Sequence, residues 1–203
     1  MRRATLAVLC ATTLVVASGC TTKGDGTPSP GGSTDATSAA ATTTTSASGG
    51  DVPAITGPEL DLAKFGSPCA MLKDDQLSAR GVTKAGAEST DATGTNCQWY
   101  PDDRALGTSF VVALLDKSRG LDGVYANREE LTVFKPTEVA GYPAVDTDLT
   151  DAAHGSCTTA VGVAEGEGFA VQVRVNDKKL PGYTDPCSVS SEIAETVVGN
   201  LKG

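Results

Sequence analysis

The only histidine, His154, is close in sequence to residues that could support nucleophilic catalysis. Ser156 and Asp151 flank it, and a Ser-His-Asp arrangement uses a serine nucleophile, a histidine base and an aspartate that orients the base. The Gly-x-Ser-x-Gly turn that presents the nucleophile in α/β-hydrolases does not occur in the sequence. The sequence therefore favours a protein that is not an enzyme, and an envelope hydrolase that uses Ser156 and His154 is the alternative.

Three aspartates, Asp146, Asp148 and Asp151, are spaced as in a calcium-binding loop. A calcium loop also needs further oxygen ligands, a glycine at the bend and a distal glutamate, and these are missing here. The sequence predicts a solvated loop, no metal and no cofactor.

Six cysteines are the residues with the clearest chemistry. Cys10 lies in the expected signal segment and Cys20 at its end, which leaves Cys69, Cys97, Cys157 and Cys187. An even number of cysteines in an exported domain predicts disulfides, and four cysteines allow three pairings. Cys69 and Cys187 each follow a proline at a predicted helix start, whereas Cys97 and Cys157 open predicted strands. We favour the local pairs Cys69–Cys97 and Cys157–Cys187, with the other pairings open. Zinc is disfavoured because there is no Cys-x-x-Cys and only one histidine.

The first residues have the pattern of a targeting segment. Arg2 and Arg3 precede an apolar stretch of about 13 residues, which is shorter than the roughly 20 that a transmembrane helix needs. The small residues before Cys20 resemble a bacterial lipobox, although Ala17 stands where Leu, Val or Ile is usual. We expect a signal peptide over 1–19 and acylation of Cys20. Two or more acyl chains at this residue would anchor the protein stably to the outer face of the cytoplasmic membrane.

Residues 20–58 are predicted to form a tether. From Thr21 to Asp51 the chain has no aromatic residue and no Leu, Ile or Val, so it cannot bury enough apolar area to offset the entropy of ordering it. Thr/Ser/Pro-rich segments of this kind can also carry O-linked sugars. Residues 59–203 have the length of one globular domain, which we expect to be monomeric.

Composition excludes one class of function. The chain has 16 Lys and Arg against 25 Asp and Glu, a net charge of −9, and its nine aromatic residues all lie at or after Phe65. Nucleic-acid binding needs a basic stripe, and none is visible. An acidic surface also keeps the domain off an anionic bilayer.

Hydrophobic periodicity predicts an α+β fold. The first helix should begin at Pro68 and reach about Arg80, with a restart at Asp74, and a second should cover about Leu121–Leu131. The last should begin at Pro186, and Ser67 and Asp185 are the expected N-caps of the first and last helices. Between them lie three hairpins, which predict an antiparallel sheet with helices packed on it. The six predicted strands are Cys97–Tyr100, Ser109–Leu115, Thr132–Val139, Ala144–Thr147, Ser156–Ala164 and Phe169–Val175.

The aromatic residues are predicted to have two different roles. Trp99 lies beside Cys97, a position that usually indicates core packing next to a disulfide. Tyr142 and Tyr183 occur in loops rich in Gly and Pro, and they are the candidates for exposed contacts, although such tyrosines also clamp their own loops. Gly166 and Gly168 fall in a tight turn between strands, which is not the setting of a phosphate-binding loop.

Together these motifs resemble a functionally uncharacterised family of actinobacterial lipoproteins, known as domain of unknown function 3558. The resemblance rests on the lipobox, the tether, Ser67-Pro68-Cys69, Cys97-Gln98-Trp99, Val139-Ala140-Gly141-Tyr142-Pro143-Ala144 and Asp185-Pro186-Cys187. It covers roughly Asp61 to Leu201, with serine where Asp-Pro-Cys would be expected. It implies an α/β/α sandwich of the Mog1/PsbP type and brings no catalytic or ligand residues.

These observations favour a membrane-tethered binding module of the cell envelope. Its ligand residues are unknown from the sequence. The partner would be a small or lipidic ligand held between sheet and helix, or an envelope protein docked through loops. A structural accessory of a membrane complex is the other non-enzymatic alternative.

Overall fold

The structure is a computed structural model that describes residues 52–91, 94–115 and 119–203. The expected signal peptide, Cys20 and the tether up to Asp51 lie outside these residues. Within the described ranges, no helix is long and apolar enough to span a bilayer.

Seven antiparallel strands form one sheet in the order β1-β2-β3-β7-β6-β5-β4. The strands β1 to β3 form one meander and β4 to β7 another, and β3 and β7 join the two. The bounds are β1 Ala87–Asp91, β2 Gly94–Trp99, β3 Thr108–Leu114, β4 Val133–Val139, β5 Tyr142–Asp148, β6 Ser156–Ala164 and β7 Glu167–Val175.

The three α-helices are α1 (Asp74–Ser78), α2 (Gly120–Ala126) and α3 (Pro186–Lys202). Short 3-10 turns cover Leu62–Phe65, Pro68–Ala70, Arg128–Glu130 and Pro181–Tyr183. The α+β class, the antiparallel sheet and the helices at the start, middle and end are therefore confirmed.

The first helix differs from the expectation. Pro68 begins only a 3-10 turn that ends at Ala70, and the α-helix starts afresh at Asp74 and stops at Ser78. The restart at Asp74 was expected, but the continuous helix to Arg80 is wrong. Ser67 does cap the turn, because its hydroxyl accepts a hydrogen bond from the Cys69 amide.

The main core lies between one face of the sheet and α3. Pro186 occupies the first turn of α3, where its missing N–H costs nothing. Ile193, Ala194, Val197 and Val198 form a buried stripe that recurs at helical spacing. This stripe packs on the core residues of β6 and β7, which are Cys157, Val161, Val163, Phe169, Val171 and Val173.

A smaller cluster lies on the opposite face of the sheet. Leu121 and Tyr125 of α2 pack there against Val145 and Ala160. Because successive strand residues point to opposite faces, Ala160 belongs to this cluster while Val161 belongs to the main core. Helices thus cover both faces of the sheet, in agreement with a sandwich of unequal layers.

Both expected disulfides are present. Cys69 joins Cys97, and Cys157 joins Cys187 with an S–S distance of 2.05 Å. Each one links a residue at a helical start to a strand. The local pairing is therefore confirmed, and the second disulfide fixes the beginning of α3 to β6.

The described part of the chain includes residues 52–58, which the sequence predicts to be part of the tether. Val52 packs against the smaller cluster and Ile55 against the main core. The Leu60 amide donates to the Val163 carbonyl at 3.1 Å, and the Tyr142 hydroxyl donates to the Pro58 carbonyl at 2.6 Å. These contacts hold the start of the domain against the sheet.

The aromatic expectations have mixed outcomes. Trp99 is buried and stacks on Phe110 with ring centroids 5.3 Å apart, which confirms core packing. Tyr142 is only 1% exposed, so its assignment to exposed contacts is wrong, and its hydroxyl clamps the entering chain instead. Tyr183 is half-buried in a 3-10 turn.

We expect opposite effects from removing two buried tyrosine hydroxyls. The Tyr125 hydroxyl has no hydrogen-bond partner among the described residues, and burial raises the pKa of Tyr125. Tyr125→Phe should leave the protein unchanged or more stable by up to about 1 kcal/mol, because an unsatisfied buried hydroxyl is costly. Tyr142→Phe should cost about 1 kcal/mol, because it removes a hydrogen bond to Pro58. Urea unfolding of the two matched variants measures the difference, and equal destabilisation by both would contradict this assignment.

Candidate functional site

The sheet face opposite α3 is covered only in part. The side chains of Phe110, Val112 and Val173 lie in the main core. Because successive side chains of a strand point to opposite faces, the residues between them lie on the other face of the sheet. There α2 covers Ala160 and Ala170, and the part nearer the start of β6 is uncovered.

A groove of about 320 Å³ lies on this uncovered part of the sheet. We call it the open-face groove. Its lining combines polar and apolar groups and contains no carboxylate. The residues that line it from β2, β3, β6 and β7 include Gln98, Ser109, Val111, Ser156, Gln172 and Arg174.

Strand register arranges these side chains in two parallel rows. In one row Arg174 of β7 is paired with Ser109 of β3 on one side and with Ser156 of β6 on the other. In the next row Gln172 lies between Val111 and Thr158. The serines on both sides of Arg174 have small side chains, and the space that they leave empty forms the groove. The groove lies across neighbouring strands, which are about 4.8 Å apart.

The polar groups of the groove are available to a ligand. Among the described residues, the Arg174 guanidinium has no hydrogen bond and no ion pair, although the chain carries a net charge of −9. The side chains of Ser109, Ser156 and Gln172 also have no hydrogen-bond partner in the described ranges. The groove thus offers one unpaired cation surrounded by neutral donors and acceptors.

His154 and Asp151 form a pair at the surface. Their Nδ1 and Oδ1 atoms are 2.7 Å apart, and the side chains are 71% and 55% exposed. The hydrogen bond from His154 lowers the pKa of Asp151, with a smaller contribution from the Ala153 amide. Ser156 makes no side-chain hydrogen bond to His154 within the described residues, so the three are not assembled as a nucleophile, base and orienting acid.

The three aspartates do not form one loop site. Asp148 accepts hydrogen bonds from the amide and the hydroxyl of Thr150, and Asp151 accepts from the Ala153 amide. Asp146 points into the protein and is 5% exposed. The expectation of a solvated loop is therefore wrong for Asp146, because it lies within β5 and alternation places it on the face of Tyr142 and Ala144, which α3 covers.

Asp146 takes part in a buried chain of hydroxyl groups. Thr159 donates to Asp146 at 2.7 Å, and the Thr159 and Ser190 oxygens are 2.6 Å apart. Ser190 in turn donates to the Cys187 carbonyl at 3.0 Å. With Asp146 ionised, Thr159 donates to the carboxylate, and Ser190 can donate its proton either to Thr159 or to the Cys187 carbonyl.

Protonation of Asp146 would allow a second arrangement of the same hydrogen bonds. The acid could then donate to Thr159, Thr159 to Ser190, and Ser190 to Cys187. Burial raises the pKa of Asp146, even though hydrogen bonds from Thr159 and Ser191 and the charge of Lys135 lower it. Asp146 is thus a buried carboxyl group beneath α3 that holds a proton more tightly than an exposed aspartate does.

A group of potential metal ligands occurs at the same place. The Asp146 carboxylate and the sulfurs of Cys157 and Cys187 lie within 4.8 Å of one another. The two sulfurs are bonded to each other, and a disulfide does not provide the thiolates that zinc binds. The proximity therefore reflects the packing of α3 on β6.

Two further surfaces are relevant to binding. A pocket of about 430 Å³ lies between Val52–Gly57 and the turn at Gly166, with Arg119 and several carboxylates at its edge. Three exposed leucines, Leu106, Leu149 and Leu180, project from loops that leave the strands at the end where β6 begins. Nothing in the described residues selects an occupant for either surface.

The described residues define a disulfide-linked α+β domain with a polar groove on an open sheet face. The chain belongs to the family described as "Protein of unknown function (DUF3558)", which matches residues 15–200. No curated protein and no solved structure matched the chain. The expected actinobacterial origin and likeness to the Mog1/PsbP fold stay predictions.

The raised pKa of Asp146 predicts how stability depends on pH. The folded protein holds the proton on the Asp146 carboxyl more tightly than the unfolded chain does. The contribution of this group to the free energy of unfolding is therefore fully present below the unfolded pKa of about 3.9, and it is lost as pH rises through the folded pKa. Asp146→Asn keeps a donor towards Thr159 and removes the titration. Urea unfolding from pH 3.5 to 7 should show the wild type losing stability relative to this variant as pH rises.

The control for this measurement is Glu195→Gln, which removes an exposed carboxylate from α3. The free energy of unfolding of this variant should differ little from that of the wild type. The difference should not change with pH as it does for Asp146→Asn. A wild-type protein that gains stability relative to Asp146→Asn with rising pH would show that Asp146 is held ionised.

Proposed function

We propose that this protein is an extracytoplasmic lipoprotein, anchored through Cys20 to the outer face of the cytoplasmic membrane, and that it acts as a non-enzymatic binding module. The signal-like start and the small residues before Cys20 support the anchor. Two disulfides support an oxidising compartment. A domain on a tether can reach ligands or partners away from the bilayer.

The observation that carries the binding role is the open-face groove. It combines an unpaired guanidinium with neutral hydrogen-bonding side chains that have no partners in the described residues. An internal site for a lipid between the sheet and α3 is less well supported. That layer is filled by side chains such as Val161, Val171 and Val197, which are fully buried.

The hydrolase alternative has one supporting observation, the hydrogen-bonded pair of His154 and Asp151. Both side chains are exposed, and Ser156 belongs to the groove. A serine at this position would need a base within hydrogen-bond reach to be activated. The geometry favours binding over hydrolysis.

We expect that Cys20 is required for membrane attachment. Cells grown with an alkyne-tagged fatty acid should label the wild type, whereas Cys20→Ala should be unlabelled and leave the membrane fraction. Cys10→Ala provides the matched control, because Cys10 lies in the segment that is removed and its replacement should not affect labelling. Labelling of Cys20→Ala would contradict the proposed anchor.

We expect that filling the groove abolishes ligand binding. Native mass spectrometry of the protein released gently from its own cells should show an added mass that vanishes on denaturation. Ser109→Trp places an indole in the groove and should remove this mass. Ser78→Trp makes the same change at an exposed residue of α1 and should retain it.

Two results would contradict the assignment of the groove. An added mass that persists in Ser109→Trp would place the ligand elsewhere. A bare wild-type protein that cross-links to an envelope protein through the loops with Leu106, Leu149 and Leu180 would favour protein docking instead. Circular dichroism of both tryptophan variants controls for folding.

A further inference from the structure

The open-face groove contains features that define the chemical class of its ligand. This inference rests on the binding function proposed above and concerns what the groove recognises. The features are a single charged side chain in the lining, the neutral polar side chains around it, and the few side chains that supply its apolar surface.

Arg174 is suited to a single carboxylate. Its planar guanidinium can form two parallel hydrogen bonds to a carboxylate, and within the described residues no acid neutralises it. The groove lining contains no second cation and no carboxylate. A planar carboxylate matches the planar guanidinium in shape and in the spacing of its two oxygens.

The residues around Arg174 are suited to hydroxyl groups. Ser109 and Ser156 flank it across the neighbouring strands, and Gln172 lies two residues before it on the same face. Hydroxyl and amide side chains both donate and accept, as sugar hydroxyls do. Their hydrogen-bonding capacity is unused in the described part of the chain.

The groove is not suited to a protein partner or a lipid tail. Protein interfaces are centred on aromatic or aliphatic anchors, whereas the open-face residues of the strands provide mainly Val111 as apolar surface. The Tyr100 ring, at the edge of the groove, is already covered by Arg104, whose guanidinium carbon lies 3.8 Å from the ring centroid. A volume of about 320 Å³ is at the lower end for ligand sites and fits a short segment.

We propose that the open-face groove binds a carboxylated, hydroxyl-rich glycan segment, in which a carboxylate pairs with Arg174 and the sugar hydroxyls bond to Ser109, Ser156 and Gln172. The serines on both sides of the guanidinium hold the sugar so that its carboxylate meets Arg174. Recognition needs both the charge and the hydroxyls.

The experiment uses the full mature chain in detergent and measures binding by calorimetry with trigalacturonic acid as the probe. Maltotriose provides a neutral trisaccharide and trialanine a carboxylate without hydroxyls. We expect trigalacturonic acid to bind at least tenfold more tightly than either. Arg174→Gln should weaken its binding at least tenfold, and Arg174→Lys should restore part of it.

The matched control is Arg128→Gln, which removes an exposed arginine that does not line the groove. Its affinity for trigalacturonic acid should stay within about twofold of the wild type, because distant surface charges are screened at physiological salt. An equal loss in Arg128→Gln and Arg174→Gln would show a general charge effect and overturn the role of Arg174.

Other outcomes also decide the proposal. Equal binding of maltotriose would show that the charge is not recognised, and equal binding of trialanine would show that the hydroxyls are not. Inorganic phosphate that displaces the probe at equal concentration would favour a phosphate ligand. If trigalacturonic acid does not bind while the cellular ligand is still lost in Ser109→Trp, the glycan class is wrong and the groove remains the binding site.

Discussion

The packing of α3 on β6 and β7 is the constraint on which the rest of the structure depends. These strands lie in the middle of the sheet, and every second side chain of each is buried against the helix. The Cys157–Cys187 disulfide and the chain of hydroxyls from Asp146 fix the first turn of α3 to the same strands. Because alternate residues must point away from this core, the same packing creates the open face and its groove.

Much of the fold could be predicted from the sequence because its signals are local. β6 has the predicted bounds, Ser156–Ala164, and α3 begins at Pro186, directly after Asp185, as expected. β1 was missed, since the strand Ala87–Asp91 is exposed throughout and shows no alternation of apolar and polar residues. Its place is set by pairing with β2 and by the hydrogen bond between Ser67 and Glu88, which leave no pattern in the segment itself.

The candidate site could not be predicted because it depends on contacts between distant parts of the chain. The register of β3 with β7 places Ser109 beside Arg174, and the register of β6 with β7 places Ser156 on the other side. No motif in the sequence links these three residues. Burial of Asp146 was missed for a related reason, since the predicted strand Ala144–Thr147 does not by itself show that α3 covers this residue and that Thr159 donates to it.

The position of the groove along β6 is consistent with a tethered binding module. The chain enters the domain near the end of β6, where Leu60 bonds to Val163 and Val52 lines a pocket beside the turn at Gly166. Ser156 and the groove lie at the beginning of the same strand, roughly 24 Å away at about 3.4 Å per residue. A ligand in the groove therefore does not compete for space with the entering chain. In the proposed tethered module, this arrangement would leave the groove open to a long glycan, which a site beside residues 52–60 would hinder.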